Sequence, residues 1–329
     1  MQSKMTILGT LVLSLGLTLG VYAGEDDTTE LVPHASSKTK QNDPVGKIPS
    51  EIEKAMRMPA GKERDKALNS AALEWVQQDP MAALAWAYEL PSSFNDLYQS
   101  VIGRCGEKCG RTMAEWFLQK KSWGGLHYAM DYWGRAEPAA ALEWSMQAPD
   151  EVRHIAFSSM AKGMALKDPE AATNWFLKVK LLEDRRSMAY GVCRGWAYAR
   201  PKDVSAATTW ALGLQSKEER ISALYGIGNT FGRLYPLPAT TAVIKALKNK
   251  EEVRAAAYGV VKAIQSKMVR IPRNAVETKD ADKKSAASYD RAFAKEWLDP
   301  FPLSDSEKTD ILNGPNIASS DRGKIPWPQ

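Results

Sequence analysis

Metal-binding and redox-active side chains are scarce in this 329-residue chain. It holds three cysteines and three histidines, the latter at positions 34, 127 and 154. A structural zinc site needs about four ligands, so neither a metal nor a cofactor is expected. Charge of one sign is also lacking. The 44 basic and 39 acidic residues leave a net charge of +5, without the concentrated basic face that nucleic acid requires. No stretch alternates polar and apolar residues long enough for a strand. After the first residues there is no long apolar run, which excludes a membrane-spanning mature form.

The one long apolar run is at the start. Lys4 precedes the uncharged stretch Met5 to Val21, and Val21-Tyr22-Ala23 places small residues at the cleavage positions. This is the pattern of a signal peptide, residues 1–23, cut after Ala23. No cysteine follows that would mark a lipoprotein. The exported form, periplasmic or extracellular, begins at Gly24 with 43 basic and 39 acidic residues, a net of +4. Export permits disulfides. Cys105 and Cys109 in Gly103-Arg104-Cys105-Gly106-Glu107-Lys108-Cys109-Gly110 are open to two readings: a bridge if the helix breaks there, or small core residues.

What the chain does have is a repeated phrase. Asp79-Pro80-Met81-Ala82-Ala83-Leu84-Ala85-Trp86 returns as Glu137-Pro138-Ala139-Ala140-Ala141-Leu142-Glu143-Trp144 and as Asp168-Pro169-Glu170-Ala171-Ala172-Thr173-Asn174-Trp175. Weaker copies run from Cys109 to Trp116 and from Asp203 to Trp210. The closing tryptophans 86, 116, 144, 175 and 210 are 30, 28, 31 and 35 residues apart. Such a period is the signature of stacked repeats that bury their apolar faces on each other. A first half precedes each phrase. Arg64, Arg153, Arg185 and Arg220 stand sixteen residues before Pro80, Pro169, Pro201 and Pro236; Trp75, Met164, Trp196 and Phe231 stand five before. Pro138 has Trp133 and, in place of arginine, Ser122. The unit is a helix of roughly 13 residues, a short turn and a helix of roughly 10. Asp79, Glu137 and Asp168 are placed to cap the second helix, and proline suits its first position. The copy at Cys109-Gly110 has lost both, which predicts a looser turn. In the fourth copy Pro201 keeps phase with the first helix and Asp203 with the second, so three residues are inserted at this junction.

The chain divides accordingly. A disordered leader covers residues 24–50, and about six helix pairs cover 51–270. A linker spans 271–285, a C-terminal helical cap 286–314, and a disordered tail 315–329. In the cap, Ser304 and Glu307 have capping-box spacing.

The Ala-x-x-x-Trp spacing of Ala82 and Trp86, Ala140 and Trp144, Ala171 and Trp175, and Ala206 and Trp210 resembles the second helix of tetratricopeptide-like repeats, over roughly residues 60–270. The phrase as a whole is similar to repeats of uncharacterised exported bacterial proteins. The Leu-Gly and Tyr pattern of the tetratricopeptide first helix is lacking. The expected fold is all-α: a right-handed superhelical α-solenoid of tandem helix-turn-helix repeats of about 31 residues. What the resemblance implies is a protein-binding superhelix, with no catalytic residue carried over.

No catalytic constellation emerges. Gly226-Ile227-Gly228-Asn229-Thr230-Phe231-Gly232 has the glycines of a phosphate loop but no preceding strand. His127 and His154 fall inside helices, read as satisfied structural residues. The arginine series is the candidate binding feature: either a ladder for carboxylates or phosphates, or bridges to acids of neighbouring repeats such as Glu63, Glu183, Asp184 or Glu219. Of the eleven tryptophans, Trp123 beside Gly124-Gly125 is the candidate for ligand contact; Trp297 and Trp327 also stand outside the repeat slots. The expected function is a non-enzymatic scaffold for a protein or peptide of the cell envelope. A wall-glycan binding protein or glycan-active enzyme and a structural spacer are the alternatives.

Overall fold

The computed structural model describes residues 47–234, 237–265 and 283–313. The expected signal peptide and leader up to residue 46, residues 235–236, the expected linker up to residue 282 and the expected tail lie outside the described residues. Among the described residues every regular element is helical. In chain order these are α1 (Ser50–Met56), α2 (Lys62–Gln78), α3 (Pro80–Tyr88), a 3-10 turn (Ser92–Phe94), α4 (Asn95–Gln119), α5 (Trp123–Ala136), α6 (Pro138–Gln147), α7 (Asp150–Lys167) and α8 (Pro169–Phe176). Then follow α9 (Leu182–Ala199), α10 (Val204–Leu212), α11 (Lys217–Leu234), α12 (Leu237–Ala246), α13 (Lys250–Gln265), α14 (Lys283–Leu298) and α15 (Asp305–Asn313).

Long and short helices meet at a single extended residue. Asp79, Glu137 and Asp168 have φ of −142°, −136° and −155°. Asp79 and Asp168 each cap the short helix, accepting the amides of Ala82 (3.0 Å) and Ala171 (2.9 Å). Glu137 is one methylene longer and does not cap; its carboxylate accepts the Trp133 indole N–H at 3.2 Å. The fourth junction spans residues 200–203, three more than the others, and Asp203 caps α10 through the Ala206 amide.

Two expectations are corrected. The long helices run to 16–18 residues in α7, α9, α11 and α13, not 13. They begin ahead of the marker arginine, with acids such as Asp150, Glu183 and Glu218 in a first turn that favours negative charge. The copy at Cys109 has no loose turn. Cys109 takes the junction geometry (φ −143°, ψ 42°) but helix continues on both sides within α4. Gly110 keeps the amide that proline lacks elsewhere, so the ladder need not stop. Both cysteines are free thiols. Cys105 is buried and donates to the Pro80 carbonyl at 3.1 Å, and Cys109 donates to the Cys105 carbonyl at 3.2 Å. Burial pushes the Cys105 thiol well above its usual range.

The long helices pack side by side in chain order: α2 on α4, α4 on α5, then α7, α9, α11 and α13. Each short helix lies against the long helices flanking it. Aromatic pairs join the two layers, Trp75 with Trp86 (5.9 Å between centroids), Trp133 with Trp144 (6.3 Å) and Trp196 with Trp210 (6.4 Å). The repeat tryptophans are thus core and near-core residues. Backbones of neighbouring long helices touch through glycine. A Cβ on Gly163 would sit 1.9 Å from the Asp131 carbonyl oxygen, on Gly195 2.2 Å from that of Lys162, and on Gly228 2.0 Å from that of Ala256. At the C-terminal end α14 and α15 pack on α13. Ser304 and Glu307 form the capping box, with the Ser304 amide donating to Glu307 at 2.7 Å and the Glu307 amide to Ser304 Oγ at 3.3 Å.

Gly163→Ala is expected to destabilise the chain by roughly 2–4 kcal/mol in urea unfolding, because the α5 backbone must move. Gly213→Ala meets nothing closer than 3.4 Å and should stay within about 0.5 kcal/mol.

Candidate functional site

The arginine series becomes a set of inter-helix bridges. Arg153 on α7 donates through Nε and Nη2 to both oxygens of Asp184 on α9, at 2.8 and 2.9 Å. Arg185 on α9 reaches both oxygens of Glu219 on α11, at 2.5 and 3.2 Å. Arg220 on α11 donates to Glu252 on α13 at 2.9 Å and to the Leu214 carbonyl at 2.9 Å. Arg254, one repeat further, continues the row onto Asp310 of α15 at 3.4 Å. Asp184, Glu219 and Glu252 are shielded, Glu219 having a side chain only 3% exposed, whereas Asp310 at the end of the row is exposed. Asp184 and Glu219 are among the acids the sequence pointed to; Glu252 is not. Arg64 departs from the pattern. The following repeat has no acid in phase, and the guanidinium lies over the Phe94 ring at 5.4 Å while bonding Asp65. The planar forks of Arg153 and Arg185 are therefore occupied by the protein itself.

A second row lies on the other side of the long helices. Trp133 and Trp196 point at the short helices, as their ring contacts show. Two residues back along a helix is about 200° round the axis, so the residues seven before each proline face away from the short layer. They are Asp131, Lys162, Arg194 and Asn229. Eleven before the prolines stand His127, Ser158, Tyr190 and Tyr225, and Tyr258 with Lys262 repeats the four-residue pair on α13. Equivalent tyrosines meet across neighbouring helices: Tyr190 with Tyr225 at 5.5 Å and 19°, Tyr225 with Tyr258 at 5.6 Å and 26°, both stacked. Cations sit over these rings or their neighbours, Arg194 over Tyr190 (5.2 Å), Lys262 over Tyr258 (5.5 Å) and Lys162 over Tyr198 (5.4 Å).

One end of this row is anchored by Asp131, 2% exposed. Its carboxylate holds Lys162 Nζ at 3.2 Å and accepts Arg135 Nε and Nη2 at 3.1 and 2.9 Å. Burial alone would raise this carboxyl, but Lys162 and Arg135 outweigh it and hold it below its ordinary value. Asp131 thus stays ionised, as an anchor for cations and not as a proton donor. His127 Nδ1 shares a hydrogen bond with Ser159 Oγ of α7, in line with the structural reading of that histidine. His154 is half-buried and burial lowers its pKa.

No family model, curated protein or solved structure matches this chain. Among the described residues no group of histidine, cysteine and acid is arranged to hold a metal ion, and no helix is long and apolar enough to cross a membrane.

Trp123 opens α5 and is 40% exposed, whereas Trp75, Trp86, Trp133, Trp144 and Trp196 are buried. None of the bonds or ring contacts formed by the arginine series involves it. The tyrosine–cation row went unread in the sequence, although its signal was there. Counting back from the prolines finds the arginines and tryptophans; the same count at positions seven and eleven finds this row.

Glu219→Gln should cost about 1–3 kcal/mol in equilibrium unfolding, since Arg185 loses a charge-assisted pair. Replacing both partners, Arg185→Met with Glu219→Met, should recover much of that loss. Asp131 carries a pH signature. A carboxyl held below its ordinary value binds fewer protons folded than unfolded. Its stabilisation is complete above the unfolded value and lost as pH falls through the folded one. Unfolding midpoints of Asp131→Asn measured from neutral to acid pH should fall less steeply than those of the parent chain.

Proposed function

We propose that the chain is an exported, non-enzymatic binding scaffold: a right-handed superhelical solenoid that presents the row of its long helices to a protein or peptide of the cell envelope. The observation that carries this reading is the stacking of Tyr190 on Tyr225, both partly exposed, in a line that runs on to the buried Tyr258. Flat aromatic walls grip an extended backbone with little loss of side-chain freedom. Stacked repeats supply such a surface as a continuous strip. The contact surface is thereby moved from the arginine ladder to the opposite side of the same helices, because the ladder's guanidinium forks are engaged on Asp184 and Glu219.

The test is capture from envelope extract of the host on immobilised protein starting at Gly24. A partner competed by free protein and weakened tenfold or more by Tyr225→Ala or Lys262→Glu is the expected result. Arg153→Met should lower stability but retain capture. Capture unaffected by the row variants would sink the assignment of the surface, and no saturable partner at all would leave a spacer. The glycan reading is supported by exposed Trp123. It predicts quenching of tryptophan fluorescence by wall oligosaccharides that Trp123→Phe abolishes.

A further inference from the structure

We propose that the connection from α8 to α9 docks the chain on a lipid bilayer that carries anionic head groups. The stretch Leu177 to Leu182 holds three leucines, two lysines and no acid. Leu177, Leu181 and Leu182 are 70%, 59% and 42% exposed, Lys178 and Lys180 are exposed as well, and Val179 alone is turned into the core. The backbone holds the leucines out in water. The Lys178 and Val179 amides donate to the Trp175 and Phe176 carbonyls at 3.0 and 3.2 Å, and the Arg185 amide donates to the Leu181 carbonyl at 3.0 Å. The Arg185 guanidinium reaches the Val179 carbonyl at 3.4 Å. Leucines kept outside by a tied backbone add nothing to the core, and a polar residue would serve the fold there equally well. Clustered, they mark a contact surface.

The repeat extends this patch. Two residues after the closing tryptophan stand Met146, Leu177 and Leu212 in three successive repeats, and all three are exposed. The Phe176 and Trp210 rings meet at 5.5 Å, which sets the ends of α8 and α10 side by side and brings Leu212 toward the leucines of the connection. Charge and side-chain type select lipid as the occupant. Lysines alternate with the leucines, so each ammonium can lie at the level of the phosphates while its apolar neighbours enter the acyl boundary. Trp175, partly exposed, lies under Lys178 at 3.6 Å, and tryptophan is a residue that settles at the head-group boundary. The adjoining acid does not cancel the lysines, because Arg186 donates to both oxygens of Glu183 at 3.2 and 2.9 Å. On the α10–α11 connection Lys217 is paired with Glu251. Asp150 and Glu151 follow Met146, which turns that repeat away from an anionic surface and centres the contact on Leu177–Leu182. Apolar insertion and attraction to anionic lipid add. Among the described residues no helix is long and apolar enough to cross a membrane, and a surface contact of this kind requires none. The inference does not rest on the scaffold reading and leaves the stacked Tyr190 and Tyr225 uninvolved.

The experiment is co-sedimentation of the chain from Gly24, a start that removes no described residue, with vesicles of phosphatidylethanolamine and phosphatidylglycerol, and separately with vesicles of phosphatidylcholine alone. The partition coefficient should be about tenfold or more higher on the anionic vesicles. Leu177→Ser with Leu181→Ser should lower it about tenfold or more, since two apolar side chains no longer leave water. Lys178→Gln with Lys180→Gln should lower it about tenfold and remove most of its dependence on salt. All four positions are exposed, so circular dichroism and the unfolding midpoint should not move. No vesicle binding, equal binding to both kinds of vesicle, or binding indifferent to the leucine pair would each overturn the proposal. So would a dimer in sedimentation velocity that Leu177→Ser with Leu181→Ser dissolves, which would make the occupant a second copy of the chain. Each outcome is independent of whether envelope capture succeeds.

Discussion

Everything in this molecule depends on how closely the long helices approach one another. Their backbones touch where Gly163 meets Asp131, Gly195 meets Lys162 and Gly228 meets Ala256. Contact at that range removes any slack in register. A side chain at one repeat position must meet its equivalent on the next helix, because there is no room to slide past it. That is why a period that looks loose in sequence, varying from 28 to 35 residues between tryptophans, yields helices that line up. The variation is absorbed in the connections, above all in the four-residue junction at Arg200–Asp203.

Fixed register gives each long helix two lateral rows with opposite roles. On one side arginines are paired in advance with Asp184, Glu219 and Glu252, each carboxylate well shielded and each bridge crossing from one repeat to the next. Such pairs contribute specificity of alignment more than bulk stability, since desolvation offsets much of their attraction. On the other side tyrosines stack in parallel, cations lie over their rings, and Lys162 is paired with Asp131.

The tryptophans and the short helices play a third part. A helix of eight to ten residues is marginal alone. Asp79, Asp168 and Asp203 cap its start, and Trp86, Trp144 and Trp210 clamp it onto the aromatic of the long helix before it. Where capping acid and proline are both lost, at Cys109-Gly110, the two helices fuse with a kink, and α4 serves both layers.

Helical content, the place of the junctions, the capping acids, the inserted three residues and the capping box at Ser304 were legible in the sequence. Each is a local matter of amide satisfaction within a few residues, and local chemistry is written contiguously. The core role of the repeat tryptophans followed from phase alone. Tertiary structure decided the rest. Arg153 and Asp184 are 31 residues apart, Arg185 and Glu219 are 34 apart, and the inserted residues blur the count that would pair them. That the arginines bridge repeats, that Tyr190, Tyr225 and Tyr258 stack, and that Lys162 finds Asp131 are consequences of one helix backbone resting against another. Sequence spacing places such side chains at the same height; only the glycine contacts bring them within reach.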